Sequence, residues 1–344
     1  MVGRFSVFCT FIPVAVSTRH ELLDEQDMSN IKNIVIPFES NSTYPSAYKV
    51  PATIETGNGE WIDITVFLTS NEVDRGSIAD TSMKPSANSI IRFQSIRDPF
   101  SIFDLQLTDQ IPLVGSEEYP INPITFLSLS PYSFLSQSVE RFLIVPNSLT
   151  DGEIILNPQN PGEYVIDSIL SEANLHGQVG YRVPVEIRLR SALREPRPTK
   201  KNSSNRGQLA EIDPTSFSTT LPWDMWLEFK GLLEFFGSID DKGEYVELYD
   251  YHSDPFAFTL FPSLEIAIQL SDGNSHFVLP FSYKDFLAPT TTGSRFRLLV
   301  TGQETIGEYC RLGNNILNKF AILFDAKNRR IAFGKSKNYI NEFD

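Results

Sequence analysis

The sequence predicts a mostly β protein with a few short helices, and three observations carry that reading. Short apolar or β-branched runs recur along the whole chain: NIVIPF, WIDITVFL, SIIRFQSI, RFLIVPN, GEIILN, YRVPVEIRLR, LEIAIQL, HFVLPF, FRLLVTG, FAILFD and RIAFGK. Gly, Pro, Asn and Asp turns separate them, and 22 prolines suit the edges and corners of many short strands. The clearest helical spacing is confined to PWDMWLEFKGLLEFFG, residues 222–237. There Pro222 fits an early helical position and Asp224 the first turn. Trp223, Trp226, Leu227 and Phe229 keep the period, and Gly237 suits the C-terminal cap. A shorter helix is expected within SFLSQSVERF, residues 133–142.

A chain of 344 residues is long enough for two packed lobes or one large domain. Hydrophobic residues at 41% exclude wholesale disorder, and 26 Phe supply core volume. The net charge of −14 makes nucleic acid and anionic membrane surfaces repulsive partners, so both classes are set aside. Residues 1–17 read as a signal peptide: Arg4 is the positive region, residues 5–16 the apolar run, and Ala15 and Ser17 fit a cleavage site. The run is too short to span a bilayer, and no later segment looks transmembrane. The competing reading is a buried first strand, which Pro13 and the following acidic stretch fit poorly. Cleavage after Ser17 removes Arg4, taking −14 to −15, and removes Cys9, leaving Cys310 as the single thiol. Such a chain has no internal disulfide. Asn41 and Asn202 head glycosylation triplets consistent with the secretory route and a secreted, extracellular or lumenal protein.

The chemistry-bearing motifs are few. Residues 194–207, REPRPTKKNSSNRG, carry five basic residues against one acid and read as an exposed basic loop, with processing at Lys200-Lys201 or docking as the functional alternatives. The four histidines, His20, His176, His252 and His276, are scattered without ligand spacing, so neither a metal nor a cofactor is implied. No Gly-x-Ser-x-Gly elbow or Gly-rich phosphate loop occurs. Cys310 precedes an apolar strand with no basic cluster beside it, the setting of a buried thiol rather than a nucleophile. A two-fold echo links ITVFLTSNEV with LAEIDPTSFS, each an apolar strand running into a polar turn.

Four stretches resemble the pepsin-like aspartic proteases. IDPTSFSTTLPWDMW resembles the second-lobe catalytic turn with its Leu-Pro and helix. FPSLEIAIQLSDGNSHFVLPFSYKDF resembles the hairpin that follows, and CRLGNNILNKFAILFDAKNRRIAFGKS the closing hydrophobic-Gly and Phe-Asp signature. YKVPATIETGNGEWIDITVFL resembles the start of the first lobe more faintly. The resemblance implies a bilobal pepsin-like fold: a signal peptide at 1–17, an N-terminal extension at 18–44, an N-terminal β lobe at 45–180 and a C-terminal β lobe at 181–344. It also implies a cleft between the lobes that takes an extended peptide or protein, in a monomer without cofactor.

The departures from that pattern bear on function. Where the resemblance implies the first acid, the chain reads Thr69-Ser70-Asn71-Glu72; the second acid is Asp213, followed by Pro214 and Thr215. Ser128 stands where a glycine is implied, while Arg311-Leu312-Gly313 keeps its glycine, and Phe93 takes the place of the flap tyrosine. Hydrolysis in the family uses two carboxylates sharing one proton over a water, and a hydroxyl cannot serve as that base. Pro214 has neither hydroxyl nor N–H to bond across the lobe junction, Thr215 puts a β-branched side chain where a close-approach glycine is implied, and Asp213 is expected to have one donor fewer. Glu72 stands at a different backbone position from the lost acid, and Asp63 and Asp74 read as solvated. Asp213 is therefore expected to be the remnant of a catalytic pair. Thr69, Ser70, Phe93, Asp213, Thr215 and Ser216 are the expected cleft residues. The leading expectation is an inactive pepsin-like protein that binds a peptide or protein ligand. The alternatives are an aspartic endopeptidase with divergent turns and a structural surface or cell-wall protein.

Overall fold

The computed structural model describes residues 33–40, 48–55, 59–69, 90–106, 114–116, 119–129, 136, 138–148, 150–176, 180–191, 208–249, 260–290, 295–303 and 309–338. The signal peptide, Asn41, Asn202 and the basic loop at 194–207 lie outside them. In chain order the first strands are β1 Ile34–Ser40, β2 Tyr48–Glu55, β3 Trp61–Thr69, β4 Ile90–Gln94, β5 Ile102–Gln106, β6 Val114–Ser116, β7 Tyr119–Ser128 and β8 Arg141–Pro146. Next come β9 Asp151–Leu156, β10 Ser171–Asn174, β11 Arg182–Arg190, β12 Gln208–Ile212, β13 Thr219–Pro222, β14 Gly237–Ile239, β15 Tyr245–Leu248 and β16 Ser263–Gln269. The last are β17 His276–Phe281, β18 Leu287–Pro289, β19 Arg295–Leu298, β20 Val300–Gln303, β21 Tyr309–Leu312, β22 Phe320–Asp325 and β23 Arg330–Lys335. Helices α1 Trp223–Leu233, α2 Tyr283–Phe286 and α3 Asn314–Leu317 lie among the later strands, and Ser136 and Ser138 are helical too.

The described chain is mostly β, as its strand periodicity requires, and every apolar run quoted above forms strand. Strands covered on one face alternate, as β11 does from buried Val183 to buried Leu189. Strands covered on both faces, β8 and β23, are continuous apolar runs instead. A twelve-stranded sheet follows the order β10-β23-β22-β8-β9-β1-β2-β3-β7-β6, with β4 and β5 branching from β2. A seven-stranded sheet runs β17-β16-β11-β12-β21-β13-β20, and a four-stranded one β14-β15-β19-β18. No helix among the described residues is long and apolar enough to cross a membrane.

Two segments of these sheets share one plan. In β5-β4-β2-β3-β7 and in β17-β16-β11-β12-β21, every neighbouring pair is antiparallel except the last, which is parallel. The echo between ITVFLTSNEV and LAEIDPTSFS falls on β3 and β12, the fourth strand of each segment. Register carries the match further. Thr69 ends β3 opposite Ser128, while Asp213 and Gly313 directly follow the facing pair Ile212 and Leu312.

Three expectations change. β1 falls within the stretch expected as an extension, yet it pairs with both β9 and β2, and Ile34, Val35, Ile36 and Phe38 are buried. Strands β22 and β23 lie beyond the expected boundary at 180/181 but join the large sheet through β8. Apolar packing links the same regions: Phe142 stacks on Phe324 at 4.8 Å, and Tyr181 meets Phe324 edge-on at 4.6 Å. Finally, α1 ends at Leu233, and Gly237 opens β14 rather than capping the helix. The glycine is needed there because a Cβ would stand 2.5 Å from the Glu247 carbonyl of β15. The buried face of α1 is Met225, Trp226, Phe229, Leu232 and Leu233, while Trp223 and Leu227 are exposed.

Deleting the shared aromatic contact tests this packing. Phe324→Ala is expected to cost about 3–5 kcal/mol in a urea titration. Phe100→Ala, at a side chain 91% exposed, is expected to stay within about 0.5 kcal/mol of wild type.

Candidate functional site

Asp213 follows β12 and opens a β-turn for which Asp at the first position and Pro at the second are favoured residues. The Ser216 N–H closes the turn on the Asp213 carbonyl at 3.1 Å, and the Asp213 N–H bonds the Leu312 carbonyl of β21 at 3.0 Å. The side chain has no solvent exposure. Its Oδ1 accepts from the Thr215 N–H at 3.1 Å, the Thr215 hydroxyl at 2.7 Å and the Ser216 N–H at 3.0 Å. The expectation of one donor fewer on Asp213 is not met: Pro214 donates nothing, but Thr215 keeps its N–H and its hydroxyl adds a bond that glycine lacks.

The other oxygen faces a cation. Arg311 Nε lies 3.7 Å from Asp213 Oδ2, beyond hydrogen-bond length, and both atoms are buried without a hydrogen-bond partner in the described structure. Parallel pairing of β12 with β21 sets Arg311 opposite Glu211, and antiparallel pairing with β11 sets Arg182 opposite Glu211 on the other side. Glu211 stands two residues before Asp213, and its Oε2 is 3.7 Å from Arg182. The result is a row of alternating charge, Arg182, Glu211, Arg311 and Asp213. Burial pushes the Glu211 carboxyl above the ordinary glutamate value; Asp213 adds to the rise, while Arg311 and Arg182 oppose it.

From the first half of the chain comes a phenol. Tyr48 on β2 is 1% exposed, stacks on Phe38 at 4.0 Å, and donates its hydroxyl to the Pro214 carbonyl at 2.5 Å. Burial, and after it the Asp213 carboxylate, hold the phenol well above its usual value, so it remains a neutral donor. Pro214 has no donor to offer across the halves, but it accepts there through the carbonyl, the polar group that proline retains.

A buried polar frame fixes this turn. The Asn314 N–H bonds the Ser216 carbonyl at 2.6 Å, the Gly313 N–H bonds Thr219 Oγ1 at 3.2 Å, and that hydroxyl donates to Asn315 Oδ1 at 2.8 Å. Asn315 Nδ2 in turn reaches the carbonyls of Asp285 and Leu299, each at 2.9 Å. Gly313 is required by close approach, because a Cβ there would lie 2.2 Å from the Ser218 carbonyl. Cys310 lies beneath, fully buried, its thiol pushed up to about 12 by desolvation.

Of the expected cleft residues, the structure brings Asp213, Thr215 and Ser216 together, all buried. Phe93 is placed in the core, 1% exposed, with its ring 6.3 Å from Phe103, and does not line a surface. Thr69 ends β3, while Ser70, Glu72 and Asp74 lie outside the described residues. Asp63 is exposed, as expected. Sequence reasoning missed Tyr48, Glu211, Arg182 and the role of Arg311. The charged row follows from strand register alone, and Tyr48 lies 166 residues from its partner with no local pattern to flag it.

The fold and site thus define a mostly β protein organised around a buried, arginine-faced Asp turn. Comparison with protein-family models and with curated proteins finds no match.

Tyr48→Phe removes the donor and leaves the Pro214 carbonyl buried and unpaired. It is expected to lower unfolding stability by about 1–3 kcal/mol in chemical denaturation. Cys310 is expected to resist maleimide labelling in the native protein and to react only under denaturant, as read by peptide mass spectrometry.

Proposed function

We propose that the chain is a pepsin-like protein without hydrolytic activity, delivered to the secretory route, that binds an extended peptide or protein segment. The observation that carries the loss of catalysis is the setting of Asp213. An arginine faces its second oxygen at 3.7 Å, and the group approaching from the first half of the chain is a neutral phenol. Peptide hydrolysis by paired acids needs two carboxylates sharing a proton over a water, whereas Asp213 is paired with a guanidinium. The repeated five-strand plan and the matching ends of β3 and β12 support the bilobal reading with Thr69 at the lost acid.

Binding is supported by a groove of about 590 Å³ lined by Phe277, Val278 and Pro280 of β17 and by Phe320, Phe333 and Lys335. Phe277 stacks on Phe333 at 5.5 Å and meets Phe320 at 5.3 Å, which gives the groove an aromatic floor. Among the described strands β17 ends its sheet, and Val278 upon it is 47% exposed. An open edge beside an apolar groove suits addition of an extended chain through backbone hydrogen bonds.

Casein digestion between about pH 3 and pH 6 is expected to be absent in wild type, with or without a statine-type inhibitor. Asp213→Ala is expected to lower stability by about 3–5 kcal/mol while changing no activity. Inhibitor-sensitive cleavage lost in that variant would establish the endopeptidase instead. Capture of a peptide ligand is expected to weaken in Val278→Asp with the melting temperature unchanged. Capture indifferent to that substitution would remove the groove from the account.

A further inference from the structure

We propose that Arg182, Glu211, Arg311 and Asp213 form a proton-operated contact, in which uptake of one proton by Glu211 releases Arg311 to close on Asp213 and tighten the turn that Tyr48 holds. Arg311 is shared between two acids. It faces Glu211 across the β12–β21 pair, and its Nε stops 3.7 Å short of Asp213 Oδ2. Both of those atoms are buried without a hydrogen-bond partner in the described structure, so a donor and a carboxylate acceptor stand 3.7 Å apart with no bond made. A movement of about 1 Å would bring them to charge-assisted length, about 2.7–2.9 Å.

The charged groups facing Glu211 are Arg182 on β11, Arg311 on β21 and Asp213 beyond its own strand. With Glu211 ionised the row is neutral, and Arg311 is drawn toward two carboxylates at once. A proton on Glu211 removes one attraction and leaves the carboxyl oxygen of the neutral acid to accept from Arg182, 3.7 Å away. The proton comes from solvent, to which the side chains of Arg182 and Arg311 are 24% and 29% exposed. Burial favours the neutral form of Glu211, and Asp213 acts in the same direction. A carboxyl with raised proton affinity in the folded state contributes stability at low pH, which is lost as pH rises through its folded value. The device therefore tightens in mild acid and loosens toward neutrality.

Thermal unfolding of wild type and Glu211→Gln between about pH 7 and pH 4.5 tests it, together with hydrogen exchange at the Thr215 and Ser216 amides. The wild-type melting temperature is expected to gain about 2–4 °C on the variant as pH falls. The two amides are expected to become more protected in acid after correction for intrinsic exchange, and in Glu211→Gln to be protected already at neutral pH. Parallel melting profiles, or protection independent of pH in wild type, would overturn the proposal. Should Glu211→Gln not fold, NMR titration of wild type decides: the Arg311 Nε resonance is expected to follow the Glu211 carboxyl, and an Arg311 signal that ignores it would overturn the proposal equally.

Discussion

A carboxylate with no solvent exposure must find inside the protein everything that water would have given it. Asp213 meets that demand with three donors on one oxygen and a guanidinium opposite the other, and much of the surrounding structure follows. Arg311 has to come from the strand parallel to β12, so the chain after β21 must pass close to the turn. That approach leaves no room for a side chain at position 313 and is locked by Asn314, Asn315 and Thr219. Tyr48 secures the turn from the first half of the chain.

On the proposed reading, the same demand separates this turn from a catalytic one. A working acid pair tolerates its buried charge because two carboxylates hold one proton between them. At Asp213 the compensation is a permanently charged arginine, which needs no shared proton and offers none. Proline after the acid fits this setting. It cannot donate across the halves, but its carbonyl can accept, and a phenol on β2 supplies the donor. On the proposed reading, loss of the first acid and the change around the second are one adjustment: without its partner, the remaining carboxylate was retained as the anchor of an ion-paired turn.

Much of the fold was legible because strands announce themselves by alternation, or by unbroken apolar runs where both faces are covered. The two-fold echo was legible too, since the sequence of both β3 and β12 runs from apolar residues into polar ones. What escaped was whatever depends on pairing between distant strands. Arg311 could be seen beside Leu312-Gly313, but its neighbours became known only once β21 was set parallel to β12 and β12 antiparallel to β11. Tyr48 reads locally as one more aromatic residue on a strand. Gly237 looked like a helix stop because glycine suits a cap, whereas here it yields space to the facing strand. Phe93 stood where the resemblance implies the flap tyrosine, yet it is placed in the core. Asp213 and Gly313 were identifiable as residues of interest, although their chemistry was decided by partners far away in the chain.

The central claim is that Asp213 is an ion-paired structural acid rather than half of a proton-sharing pair. An epoxide reagent directed at paired active-site carboxylates, followed by peptide mapping at mild acid pH, tests it most directly. A carboxyl group activated beside a bound water is esterified, while one closed in by three donors and an arginine is out of reach. The account predicts unmodified Asp213 in folded protein; stoichiometric ester at Asp213 would contradict it.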